Sequence, residues 1–99
     1  MDARIDNFSA WINYTNNISH KNDIEFLLNK AGFTILNFME HEFKPQGYTS
    51  IWLLAESHCA LHTFPEDGKT YIELSSCNLR MYESFKLLFY KKFQVISSR

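Results

Sequence analysis

The alternation of apolar and polar positions divides the chain into short blocks. Asp6 to Tyr14 is rich in aromatic and β-branched residues, with Phe8, Trp11, Ile12 and Tyr14, and reads as a strand. Thr15-Asn16-Asn17 breaks it. Ile24, Leu27, Leu28 and Ala31 recur at helical spacing. Asn22 is the expected cap of that helix, Glu25 can reach back as in a capping box, and Gly32 is the expected stop. A second strand is expected over Phe33 to Phe43. Phe33, Ile35, Asn37, Met39 and His41 fall on one side, and Thr34, Leu36, Phe38, Glu40 and Glu42 on the other. Lys44-Pro45-Gln46-Gly47 is a turn. Tyr48 to Ala55, with Ile51-Trp52-Leu53-Leu54, reads as a central strand. His58 to Phe64 and Thr70 to Ser76 read as two more, separated by the turn Pro65 to Lys69. Asn78 is the expected cap of a last helix carrying Met81, Tyr82, Phe85, Leu88, Phe89 and Phe93. Short turns favour antiparallel neighbours. The expected fold is α+β: a two-layer sandwich, an antiparallel sheet with two helices on one face.

Composition narrows the class. The chain has 99 residues, 45% of them hydrophobic and 16% aromatic, which fits one globular domain over 1-99. A core this small is often stabilised by oligomerisation. The net charge of -1 gives no electrostatic attraction to nucleic acid or to an anionic membrane. No apolar run is long enough to span a bilayer, and Met1-Asp2-Ala3-Arg4 lacks the order of a signal peptide, so a cytoplasmic location is the default expectation. Two cysteines, Cys59 and Cys77, are too few for a disulfide framework. Neither has partners at zinc-site spacing, so no metal site is expected.

Three consecutive polar residues, Glu56-Ser57-His58, interrupt two apolar strands. A serine at such a junction is ordinarily a turn residue, and Cys77 at a strand end is ordinarily a small buried side chain. No Gly-x-Ser-x-Gly elbow accompanies Ser57, which argues against a hydrolase triad. His58 and His62 lack a third ligand, and Phe43 and Phe64 are most simply core aromatics.

Read as a set, Phe43-Lys44-Pro45-Gln46-Gly47, Ala55-Glu56-Ser57-His58, Leu61-His62-Thr63-Phe64-Pro65-Glu66 and Cys77 strongly resemble the prokaryotic S-adenosylmethionine decarboxylase family. The likeness runs from about Gly32 to Asn78. It implies a proenzyme that cuts itself between Glu56 and Ser57 into a β chain (1-56) and an α chain (57-99), turning Ser57 into a pyruvoyl group. His62 matches the family histidine that abstracts the proton during elimination. Thr49 matches a serine that assists processing. The pyruvoyl ketone then forms a Schiff base with the substrate amine, as pyridoxal phosphate does elsewhere. Cys77 matches the proton donor. Glu66 would hold the ribose hydroxyls, and Phe43 and Phe64 would flank the adenine. The implied activity is decarboxylation of S-adenosylmethionine for spermidine biosynthesis, by a homodimer of processed protomers joined through sheet edges or helices.

The pattern also departs from the family. Phe64 replaces the usual Trp, Asp67 a common Tyr, and Asn78 a Gly; the first helix reads as abbreviated and the tail beyond Phe93 as short. Two alternatives therefore stand beside the first reading. One is a pyruvoyl-dependent decarboxylase of ornithine or arginine. The other is an unprocessed, non-catalytic homologue that binds a nucleoside or a partner protomer.

Overall fold

The computed structural model describes residues 3–99. Strand β1 (Asp6–Asn13) is followed by helix α1 (Asn17–Ala31), then β2 (Ile35–Glu42), β3 (Tyr48–Leu54), β4 (Ser57–Phe64), a 3-10 turn (Pro65–Asp67), β5 (Lys69–Ser76), α2 (Leu79–Lys92) and β6 (Val95–Ser98). The strands form one sheet in the order β2-β3-β4-β5-β1-β6, and every neighbouring pair is antiparallel. This is the expected α+β sandwich.

Three elements differ from expectation. First, α1 is longer: its cap is Asn16, whose side chain accepts from the Ser19 N–H at 3.0 Å. The Thr15-Asn16-Asn17 break after β1 therefore also starts the helix. Glu25 makes no capping box; it accepts a hydrogen bond from the Trp52 indole N–H at 3.1 Å. Gly32 does end the helix, at φ 100°, donating to the Asn29 and Leu28 carbonyls. Second, β2 has an irregularity between Ile35 and Asn37. It shifts the alternation, so that Ile35 and Phe38 both pack on the core although they fall on opposite sides of a regular strand. Third, the tail beyond Phe93 forms β6, an edge strand on β1.

The sheet has two unlike faces. Phe8, Ala10, Ile12, Trp52, Leu54, Cys59, Leu61, Ile72 and Leu74 point to the helices and meet Ile24, Leu27, Leu28, Phe85 and Phe89 in one core. α2 joins this layer through aromatic edges, with the Phe8 ring 5.4 Å from Phe89. Among the described residues, no helix covers the other face. That face carries Met39, Ile51, Leu53 and Phe64, all exposed, among polar side chains.

Candidate active site

Strand alternation and one tight turn position the candidate serine. β3 and β4 pair with Leu54 opposite Ser57, leaving only Ala55-Glu56 to reverse the chain. Two-residue hairpin turns favour Gly, Asn or Asp because they demand positive φ. Here the demand falls on Glu56, at φ 58°, the one non-glycine residue in the left-handed region among the described residues. Such a conformation costs an L-residue with a Cβ on the order of 1 kcal/mol. The Ala55 N–H, bonded to the Thr34 carbonyl at 3.0 Å, pins the turn against the start of β2. The strained residue thus contributes the carbonyl of the Glu56–Ser57 peptide bond.

Ser57 points to the helix side and is only 8% exposed. Its hydroxyl donates to Ser76 Oγ at 3.0 Å, across the β4–β5 ladder. Beside it lies a cleft of about 400 Å³ lined by Glu56, Ser57, Ser76 and Cys77, with Ile5, Leu36 and Leu53 as apolar walls. Cys77 is an exposed free thiol. Cys59, the other cysteine, is buried against the core, and burial pushes its thiol up from its ordinary range. Of the two, Cys77 is the one that can meet a ligand.

A second cluster stands elsewhere. Thr49 and His62 face each other across β3 and β4 on the open face, with Thr49 Oγ1 2.9 Å from His62 Nδ1. The Tyr71 ring lies 6.2 Å from His62, and Trp11 lies 4.9 Å from Tyr71 and 5.8 Å from Phe64. Glu66 follows in the 3-10 turn. Phe43 approaches the same end of the sheet, its N–H bonded to Gly47 across the β2–β3 turn. Thr49, His62, Phe43, Phe64 and Glu66 therefore lie toward the same end of the sheet.

Within one chain the structure does not bring this cluster to Ser57. His62 lies five residues along β4, roughly 16 Å at strand rise, and points to the opposite face. Phe64 lies farther still. Ser57, Glu56 and Cys77 form one group; the remaining candidates form another.

Two further residues support Ser57, one of them without any signal in the chain. Ser76 becomes visible only through the register that sets it opposite Ser57. Asn78 was expected as a helix cap, and it is one, accepting from the Met81 N–H at 3.0 Å. Its backbone also holds Ser76.

Fold and junction together define a class: a small two-layer α+β domain whose central hairpin presents a buried serine at a left-handed peptide, beside a thiol-lined cleft. The chain belongs to the S-adenosylmethionine decarboxylase family, whose model matches residues 16–95. It is 36% identical over 78 residues to the S-adenosylmethionine decarboxylase proenzyme of Archaeoglobus fulgidus, covering 77% of this chain and 69% of that protein. It is 48% identical over 48 residues to the proenzyme of Prochlorococcus marinus (strain MIT 9313), covering 48% of this chain and 38% of that protein. The matched stretch thus spans well under half of that cyanobacterial relative. The crystal structure of the adenosylmethionine decarboxylase from Aquifex aeolicus VF5 has the same fold, with a TM-score of 0.75 over 96% of this chain and 83% of that one, at 18% identity. No described helix is long and apolar enough to cross a membrane.

Proposed function

We propose that this chain is a self-cleaving proenzyme that becomes a pyruvoyl-dependent S-adenosylmethionine decarboxylase. The observation that carries the reading is the Glu56–Ser57 junction: a left-handed acyl residue joined to a buried serine whose cleft also holds Cys77. Ser57 Oγ attacks the Glu56 carbonyl carbon, the peptide C–N bond breaks, and the hydroxyl proton ends on the released amine. Loss of the Ser57 Cα proton expels the Glu56 carboxylate, and water then replaces the nitrogen as ammonia. Strain at Glu56 raises the reactant and is relieved once the bond opens.

The residues around Ser57 fit a pyruvoyl group. The site is a walled cleft, and its exposed thiol can hold a proton near a substrate carbon. When present, that group supplies a carbonyl that condenses with an amine and draws off the electrons released with CO2. Cys77 delivers the replacing proton. Glu66 accepts from ribose hydroxyls, and Phe43 and Phe64 offer faces to the adenine and the sulfonium.

The separation of the two clusters supports a homodimer. One copy supplies Ser57 and Cys77; the other brings His62, Thr49, Phe43, Phe64 and Glu66. The uncovered sheet face, with exposed Met39, Ile51 and Leu53, is the surface suited to such packing rather than sheet edges or helices, because Leu53 and His58 of that face also line the cleft beside Ser57. The product serves as an aminopropyl donor for spermidine synthesis. Two free thiols suit the reducing cytoplasm.

Asp67, a second carboxylate beside Glu66, favours one other reading: a basic amino acid such as ornithine or arginine as substrate. Labelled CO2 release from carboxyl-labelled S-adenosylmethionine, ornithine and arginine separates the two. The primary test is mass under denaturing conditions. The 11.7 kDa chain is expected to yield one piece ending at Glu56 and one beginning at the modified Ser57. Ser57→Ala is expected to stay whole and inactive. A purified wild-type chain that remains one species would sink the proposal.

A further inference from the structure

We infer that Ser76 is a positioning residue for the cut: its hydroxyl holds the Ser57 proton and leaves the Ser57 oxygen lone pairs free for the Glu56 carbonyl. The inference rests on the self-cleavage proposed above and deepens it.

A serine hydroxyl has one proton to give and two lone pairs to receive. Ser76 Oγ uses all three. It donates to the Asn78 carbonyl at 3.3 Å, accepts the Asn78 N–H at 3.0 Å, and lies 3.0 Å from Ser57 Oγ. Its single proton is committed to Asn78, so Ser57 is the donor in the bond between the two serines. Ser76 is 1% exposed, which keeps water from replacing any of these partners. The contrast within the same core is informative: Ser50, Thr63 and Thr70 are buried hydroxyls with no partner.

The support behind Ser76 is rigid. Asn78 is the N-cap of α2, fixed by its side-chain bond to the Met81 N–H. A line of bonds therefore runs from the helix start through Asn78 and Ser76 to the nucleophile. In the attack, a C–O bond forms between Glu56 and Ser57 Oγ, the C–N bond breaks, and the hydroxyl proton passes to the departing amine. No other reactant is needed. A serine is too weak a base to take that proton for good, so Ser76 orients the hydroxyl without activating it.

The test compares Ser76→Thr with Ser76→Val, which match in size and differ by the hydroxyl. Time courses of intact mass on the full chain are expected to show Thr cleaving within about threefold of wild type and Val at least about tenfold slower, the scale of one lost hydrogen bond. Thermal midpoints are read in parallel. Ser76→Ala, which removes only the oxygen, is a second hydroxyl-free variant and is expected to slow the cut similarly. Equal rates for Thr and Val, or wild-type cleavage in Ala, would overturn the inference. So would build-up of a hydroxylamine-sensitive ester in Val, because the fault would then lie after the attack. A wild-type chain that never cuts is a different result, and it removes the decarboxylase reading itself.

Discussion

At the scale of single residues, the Glu56–Ser57 junction is the feature to perturb. Placing a glycine at Glu56 removes the left-handed penalty. In a Ser57→Ala background, chosen to keep the chain whole under the proposed cleavage, Glu56→Gly is expected to raise unfolding stability by a few tenths to about 1 kcal/mol, as measured by urea denaturation. In the wild-type background the same change is expected to slow cleavage. Faster cleavage would mean that strain at Glu56 does not drive the cut. The polar interruption Glu56-Ser57-His58 was legible in the chain itself, because it breaks two apolar runs. The left-handed turn was not, because neither Ala55 nor Glu56 is a residue that announces positive φ. Ser76 was hidden for another reason: linear spacing does not reveal which residue stands opposite across a strand pair.

At the scale of elements, the periodic segments were legible and their ends were less so. β3, β4, β5 and α2 match the pattern, since their apolar residues recur without a break. The start of α1 differs from the Asn22 cap that the pattern predicts because Asn16, which breaks β1, also has the side chain a helix start needs. Only the Asn16 side chain reaches an N–H at the helix start. The phase of β2 was lost to a bulge that no residue type marks. The α1–α2 junction also predicts a pH response. His20 is buried on α1, against the Tyr14 and Phe93 rings, and its Nε2 accepts the Thr15 N–H at 3.1 Å. Burial lowers its pKa from 6.5, with Asp23 opposing; Asp23 is itself paired to Lys92 of α2 at 3.7 Å. The unfolded chain therefore binds the proton more readily than the folded one. This contribution is complete above pH 6.5 and is lost as pH falls from there toward the folded value. His20→Gln is expected to flatten that acid-side decline in denaturation curves taken between pH 7 and 5. An unchanged slope would show that other groups govern it.

At the scale of the whole molecule, the governing feature is the division of the candidate residues between two groups at opposite ends of one sheet. Linear order suggested a single site, since Ser57, His62 and Glu66 lie within ten residues of each other. Strand geometry separates them. Cys77→Ala and Glu66→Ala disable different groups, so in a shared-site dimer each variant damages both sites. Co-expressed in equal amounts, half of the dimers are mixed, and each mixed dimer has one intact site. Activity is expected to recover to about a quarter of wild type. No recovery in verified mixed dimers would show that each copy works alone.

The strand order carries a final consequence. A break after Glu56 leaves β1, β2 and β3 in one piece and β4, β5 and β6 in the other. In the sheet they do not lie as two blocks: β2-β3 of the first piece is followed by β4-β5 of the second, then β1 of the first, then β6 of the second. Three ladders, β3–β4, β5–β1 and β1–β6, join the two pieces. The pieces are interleaved like the fingers of clasped hands. The fold can lose a covalent bond at its centre and still come apart only by unfolding.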